Sequence, residues 1–138
     1  MAFIAKNKVR MHDTDMAGIL YFPRQFRFAH DALEDYMESE GMSFERIFKQ
    51  EKFVFVIVHA EADYYLPLHV GDNIEVHLFI ERIGNSSFTI GYKIYRIPAQ
   101  ELVGAAKTIH VALESESRKK VPIPDSLRTS LKKYLIQV

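Results

Sequence analysis

From Ile74 to Ile94 the chain keeps a period of two through two long stretches, with a third long strand after them, and that alternation constrains the fold more than any other feature. Ile74, Val76, Leu78 and Ile80 alternate with Glu75, His77 and Glu81; Phe88, Ile90, Tyr92 and Ile94 repeat the pattern; Leu102 to Leu113 makes the last long strand. Successive side chains of a strand point to opposite faces, so runs of this kind are strands. Gly84-Asn85-Ser86 and Pro98-Ala99-Gln100 separate them. These are turn-forming residues, too few to hold a crossover helix, so the strands are expected in an antiparallel meander. Upstream, Phe53 to Val58 is apolar at every position. That marks a strand buried on both faces, or buried on one with the other in an interface, and core is the simpler reading. It continues through His59 to Tyr65 and ends at Pro67, ahead of a Gly71-Asp72 turn. A further strand is expected over residues 3–11.

Between these strands the period changes. Phe22, Phe26, Ala29, Leu33, Tyr36 and Met37 recur at helical spacing, with Arg24, Arg27, Asp31, Glu34, Asp35 and Glu38 mostly elsewhere on the wheel, which predicts a long amphipathic helix. Gly41 suits a left-handed stop, and Ser43 can cap a short second helix carrying Phe44, Ile47 and Phe48. Pro124-Asp125-Ser126 can start a last helix with Leu127, Leu131, Tyr134 and Leu135 on one face. The order strand, helix, then strands predicts an α+β domain over 1–138, in which an antiparallel sheet of about five strands wraps one long helix.

Composition narrows the function. Lys and Arg number 18, as do Asp and Glu, so no basic field is present to hold nucleic acid phosphates. The apolar runs are too short to span a bilayer, and the first residues lack the long apolar segment of a signal peptide, so no membrane association and a cytoplasmic location are expected. Without cysteine there is no thiol nucleophile and no thiolate metal site. His30, His69, His77 and His110 show no metal-ligand spacing, so no metal and no cofactor are expected.

The chemistry is concentrated in His12 to Phe28. Asp13, Asp15 and Gly18 stand just ahead of Pro23, which suits a first helical turn where its missing N–H is not needed. A helix N-terminus offers unpaired N–H groups and a partial positive charge. An acyl oxygen there can be polarised while a nearby carboxylate attacks it or activates water. On spacing alone, turn closure and catalysis are equally good readings of the two acids.

These residues resemble the hotdog-fold thioesterases of the 4-hydroxybenzoyl-CoA thioesterase family. The resemblance lies in Asp13-Thr14-Asp15-x-x-Gly18-x-x-Tyr21 and the helix after it, in Tyr65-x-Pro67-x-x-x-Gly71-Asp72, in Ser86-Ser87-Phe88, and in Arg118, Pro122 and Pro124. Tyr21-Phe22, His30-Asp31-Ala32 and Ile57-Val58-His59-Ala60-x-x-Asp63 look most like the branch that hydrolyses 1,4-dihydroxy-2-naphthoyl-CoA. The resemblance implies a hotdog fold and an acyl-CoA thioesterase. Asp15 would be its nucleophile or general base, the Phe22 N–H would polarise the carbonyl, and Gly18 would allow close approach. It departs from the family at Arg24-Gln25, where relatives often carry Asn-Tyr, and at Gly84, Asn85 and Ser86, where some carry CoA-binding basic residues; Arg82, Arg118, Lys119 or Lys120 are the substitutes.

Several residues carry two readings. Asp13 is expected to be structural, closing a turn. His12 is expected to make an ordinary hydrogen bond at a strand end, and Arg118-Lys119-Lys120 to form a solvated turn. His59, a polar residue in an apolar strand, needs a partner, and a substrate hydroxyl or carbonyl across a dimer interface would serve. Tyr21, Phe22, Phe26, Phe53 and Phe55 are flat apolar walls suited to an aromatic acyl group. Substrate binding is therefore assigned to Gly18, Tyr21, Phe22, His59, Asn85, Ser86 and Ser87, in a homodimer or homotetramer. The alternatives are a thioesterase for short or medium aliphatic acyl-CoA or acyl carrier protein, or a non-hydrolysing module that binds acyl thioesters.

Overall fold

A computed structural model of the chain describes residues 1–136; residues 137 and 138 of the expected domain lie outside the described residues. The strands are β1 (Phe3–Lys8), β2 (Phe53–Tyr64), β3 (Asn73–Ile83), β4 (Ser87–Ile97) and β5 (Glu101–Glu114), and the helices α1 (Gln25–Ser39), α2 (Phe44–Gln50) and α3 (Asp125–Lys132). The sheet is antiparallel in the order β1-β3-β4-β5-β2. The expected meander holds for β3 to β5. β2 departs from it: the chain crosses from β1 through α1 and α2 to the far edge, where β2 pairs with β5 alone among the described residues.

Ile74, Val76, Leu78 and Ile80 of β3 and Phe88, Ile90, Tyr92 and Ile94 of β4 are all buried. They form the concave face that holds α1, which buries Phe28, Ala29, Ala32, Leu33, Tyr36 and Met37 against it. Each large side chain buried here stabilises the fold by about 1.5–3 kcal/mol. The expected stripe named Phe22 and Phe26 in place of Phe28 and Ala32. Because the curved sheet reaches round the helix, its buried sector is wider than a single stripe, while Phe22 is exposed and Phe26 half-buried.

Three other boundaries differ from expectation. β1 ends at Lys8 rather than at residue 11, because Met11–Asp13 turn into one 3-10 turn, and His12 sits in it. Pro23 lies in a second 3-10 turn, Phe22–Arg24, which leads into α1. Leu135 falls beyond α3 and is partly exposed; the chain there pairs with Ile80 beside the start of β1. Ser43 caps α2 as expected, accepting from the Arg46 N–H at 3.2 Å.

The apolar run of β2 is a larger correction. Phe53 is buried, but Val56, Ile57 and Val58 are 36%, 46% and 59% exposed. As an edge strand, β2 has a partner strand on one side only among the described residues, and none of them forms a layer over the face turned away from α1. Its register on β5 shifts between Ile57 and His59. That bulge leaves Ile57 and Ala60 on the α1 side and turns His59, Glu61 and Asp63 to the opposite face.

Candidate active site

The segment between β1 and α1 is folded around Asp13. Its carboxylate is fully buried and receives Arg27 Nε at 2.8 Å, Arg27 Nη2 at 2.6 Å, Arg24 Nε at 3.2 Å and the Arg10 N–H at 2.8 Å. Asp13 is thus the structural acid, and Arg24 has a role as its second clamp. His12 Nε2 lies 3.6 Å from the same carboxylate.

Beyond Asp13 the chain doubles back on itself. Thr14 bridges Leu20, and the Asp15 N–H donates to the Ile19 carbonyl at 2.9 Å. The turn closes through the Gly18 N–H, which donates to the Asp15 carbonyl at 3.0 Å, with Gly18 at φ +78°, a conformation that favours glycine. Asp15 is exposed at its head, and its Oδ1 accepts from the Ala17 N–H at 2.8 Å. Ile19 and Leu20 then bring the chain to Tyr21 and Phe22, whose rings pack edge to face 5.4 Å apart.

The Tyr21 N–H donates to the Asp13 carbonyl and the Arg24 N–H to the Tyr21 carbonyl. Among the described residues the Phe22 N–H has no acceptor. It stands at the start of the helical stretch as a free donor at a positive end. The Phe22 carbonyl is fixed from the other side by the Tyr64 hydroxyl, 2.6 Å away. Gln25, the other departure from the family pattern, is buried, and its Nε2 donates to the Asp63 and Ala105 carbonyls at 3.1 and 3.0 Å. It pins the start of α1 to β2 and β5, a role the sequence reading missed.

Two open grooves follow one another along the seam between α1 and β2. The first, about 340 Å³, is lined by Leu20, Phe22, Gln25, Tyr64 and Leu68 among others. The second, about 370 Å³, lies one to two helical turns further on, between Phe26, Ala29 and His30 of α1 and Ile57 and Ala60 of β2, over Tyr92 and Thr108.

The structure brings Gly18, Tyr21 and Phe22 together beside Asp15, and leaves the other expected residues elsewhere in the chain. Asn85 and Ser86 lie in the β3–β4 turn and Ser87 begins β4, at the end of the sheet opposite Phe22, where the Asn85 and Ser86 carbonyls accept from the Ile123 and Ala112 N–H groups. Phe22 is held by Tyr64, whose register runs through Gly104 to Ile94, and seven residues of β4 separate Ile94 from Ser87, roughly 23 Å. His59 is on the face of β2 turned away from α1, 3.1 Å from Glu61 Oε1. Arg118, Lys119 and Lys120 are exposed as expected, but they follow the turn after β5, which is made by residues 115–117, and Lys120 already pairs back with Leu113. No three His, Asp or Glu side chains among the described residues converge as metal ligands.

A long helix wrapped by a five-stranded antiparallel sheet, with an acid-bearing hairpin opening onto the free N–H of the helix start, defines the hotdog-fold thioesterase class. The family model described as the thioesterase-like superfamily matches residues 9–131, and this chain belongs to that superfamily. It is 35% identical over 125 residues to a 1,4-dihydroxy-2-naphthoyl-CoA hydrolase of Rippkaea orientalis, covering 90% of this chain and 91% of the relative. To the corresponding Synechocystis hydrolase it is 33% identical, with 94% of each chain covered. The crystal structure of a 1,4-dihydroxy-2-naphthoyl-CoA thioesterase from Synechocystis superposes with a TM-score of 0.89 at 32% identity, over 96% of both chains.

Proposed function

We propose that this protein hydrolyses the thioester of an aromatic acyl-CoA, with 1,4-dihydroxy-2-naphthoyl-CoA or 4-hydroxybenzoyl-CoA as the favoured substrate. The observation that carries this reading is the free Phe22 N–H at the mouth of the α1–β2 seam, beside the hairpin that presents Asp15. A thioester carbonyl oxygen placed there accepts from that N–H and meets the positive end of α1. Negative charge on the oxygen is stabilised as the carbonyl carbon becomes tetrahedral, and one such donor is commonly worth about 10²–10³ in rate. Asp15 either attacks the carbon, giving an anhydride that water opens, or takes a proton from the water that attacks. In both routes the C–S bond breaks, water supplies the new acid oxygen, and the CoA thiolate is protonated.

The relatives named as 1,4-dihydroxy-2-naphthoyl-CoA hydrolases support an aromatic acyl group, as do the aromatic walls Phe22, Phe26 and Tyr64. The exposed β2 edge supports a homodimer, or a tetramer of such pairs. In that assembly Asn85, Ser86 and Ser87 contribute to substrate binding from a second copy, since they cannot reach Phe22 within their own chain. His59 likewise contacts substrate only across an interface.

The test is a panel of aromatic and aliphatic acyl-CoAs, followed by released thiol, for the native protein and Asp15→Asn. The expected result is strongest turnover on hydroxylated aromatic substrates, falling by orders of magnitude in the variant. Best turnover on palmitoyl-CoA would refute the aromatic assignment. Binding of acyl-CoA without any release of thiol would identify a non-hydrolysing module instead.

A further inference from the structure

The second groove has a floor that an apolar pocket does not need. Tyr92 of β4 and Thr108 of β5 line it; the Tyr92 hydroxyl lies 3.0 Å from Thr108 Oγ1, and Thr108 Oγ1 lies 2.8 Å from His110 Nε2. All three are buried, with Tyr92 and His110 each 1% exposed. Polar groups in such a place cost free energy unless every one is satisfied, and valine or phenylalanine would fill the same space without that cost.

The direction of the chain of hydrogen bonds follows from His110. Its ring lies flat on Phe88, 4.9 Å away at 6°, with the edge of Phe55 against it, so it is held in place. Burial, with His30 nearby, pushes its pKa down to about 4, so the ring is neutral at physiological pH and carries one N–H. Nδ1 has no partner among the described residues. Hydrogen on Nδ1 would strand a buried donor, whereas hydrogen on Nε2 leaves only a lone pair bare, the smaller cost. Nε2–H therefore donates to Thr108, the Thr108 hydroxyl donates to Tyr92, and the Tyr92 hydroxyl is left to donate to something outside this chain of three.

We infer that the Tyr92 hydroxyl, oriented by Thr108 and His110, reads a hydroxyl oxygen on the acyl ring and sets the preference for hydroxylated aromatic substrates. The inference rests on the aromatic acyl-CoA reading above and adds the residue that selects within it. Ala29 and Ala60 leave the space above Tyr92 open, while Phe26 and Ile57 flank it. Phe22 and Phe26 are four residues apart, roughly 6 Å along a helix, so an acyl group with its carbonyl at Phe22 extends its ring toward this floor.

The test compares kcat/KM for two substrate pairs, 4-hydroxybenzoyl-CoA against benzoyl-CoA and 1,4-dihydroxy-2-naphthoyl-CoA against 1-hydroxy-2-naphthoyl-CoA, in the native protein, Tyr92→Phe and Thr108→Val, with thermal melting as the folding control. The preference for the additional hydroxyl is expected to shrink about tenfold or more in Tyr92→Phe. Thr108→Val, which keeps shape but releases the tyrosine hydroxyl from its donor, is expected to move the ratio the same way and provides the readout if Tyr92→Phe does not fold. An unchanged ratio, or equal loss on both members of a pair, overturns the inference while leaving aromatic thioesterase activity intact. No hydrolysis of any aromatic acyl-CoA by the native protein overturns the proposed function and this inference with it.

Discussion

Arg27 grips Asp13 with two arms of its guanidinium, Nη2 donating to Oδ2 at 2.6 Å and Nε to Oδ1 at 2.8 Å. This fork ties the segment before the site to the first turn of α1, and so sets where Asp15 and Phe22 come to stand. Burial alone would raise the Asp13 pKa; the hydrogen bonds from Arg27 and the Arg10 N–H outweigh it and hold it at about 2, below its usual 3.8. A depressed acid contributes stability fully above its unfolded pKa and loses it as pH falls through the folded one. About 2 kcal/mol of stability should therefore disappear between pH 4 and pH 2. Asp13→Asn should cost about 3 kcal/mol in urea unfolding at pH 7, because it leaves Arg27 and Arg24 without their charge partner. It should also flatten the acid limb of the stability profile. A native-like urea midpoint would show that the fork contributes nothing.

Asp15 should behave in the opposite way. Its exposed carboxylate is bonded to the Ala17 N–H alone among the described residues, so the charge holds little of the fold together. Asp15→Asn is expected to melt within a degree or two of the native protein, since surface changes usually stay within about 0.5 kcal/mol, yet to lose turnover by orders of magnitude. If both variants lost stability and activity to the same degree, the division of labour between the two acids would fail.

A third expectation concerns the floor beneath the helix start. A Cβ built on Gly104 would stand 2.6 Å from Gln25 Oε1 and 3.0 Å from the Asp63 carbonyl, so Gly104→Ala must displace the side chain that joins α1 to β2 and β5. The cost should be about 1–3 kcal/mol, with a raised KM because Gln25 lines the first groove beside Phe22. Gln25→Leu should resemble it, leaving the Asp63 and Ala105 carbonyls without their donor. Native stability and KM in both variants would contradict this.

The sheet and long helix were legible because their periods are local: Ile74 to Ile80 and Phe88 to Ile94 declare strands whatever they pack against. What was not legible depended on distance in the chain. β2 reads as core, since Phe53 to Val58 carries no polar residue, but topology sends it to an edge. The bulge after Ile57 then decides that His59 looks away from α1, and no residue pattern announces a bulge here. Asp13 was separable from Asp15 only as a turn-closing acid; its clamp comes from Arg24 and Arg27, eleven and fourteen residues on. The Tyr92–Thr108–His110 floor joins two strands by register, and its signal in the sequence is polar residues at inward positions of an apolar alternation.

That misplaced strand gives the last expectation. β2 presents a free backbone edge and three consecutive apolar residues, Val56, Ile57 and Val58, to solvent. Such an edge pairs readily with another chain unless charge or proline blocks it, and the stretch 53–58 has neither. A two-fold axis across β2 would place the same patch on itself, extending the sheet and covering the exposed valines, as a closed isologous dimer requires. Light scattering at micromolar concentration should therefore give the mass of a dimer or a tetramer. Val56→Glu puts two like charges into the shared patch, one from each copy, and should yield a folded monomer with native-like circular dichroism and little thioesterase activity. A monomeric native protein, or a monomeric Val56→Glu that keeps full turnover, would show that each chain carries a complete site.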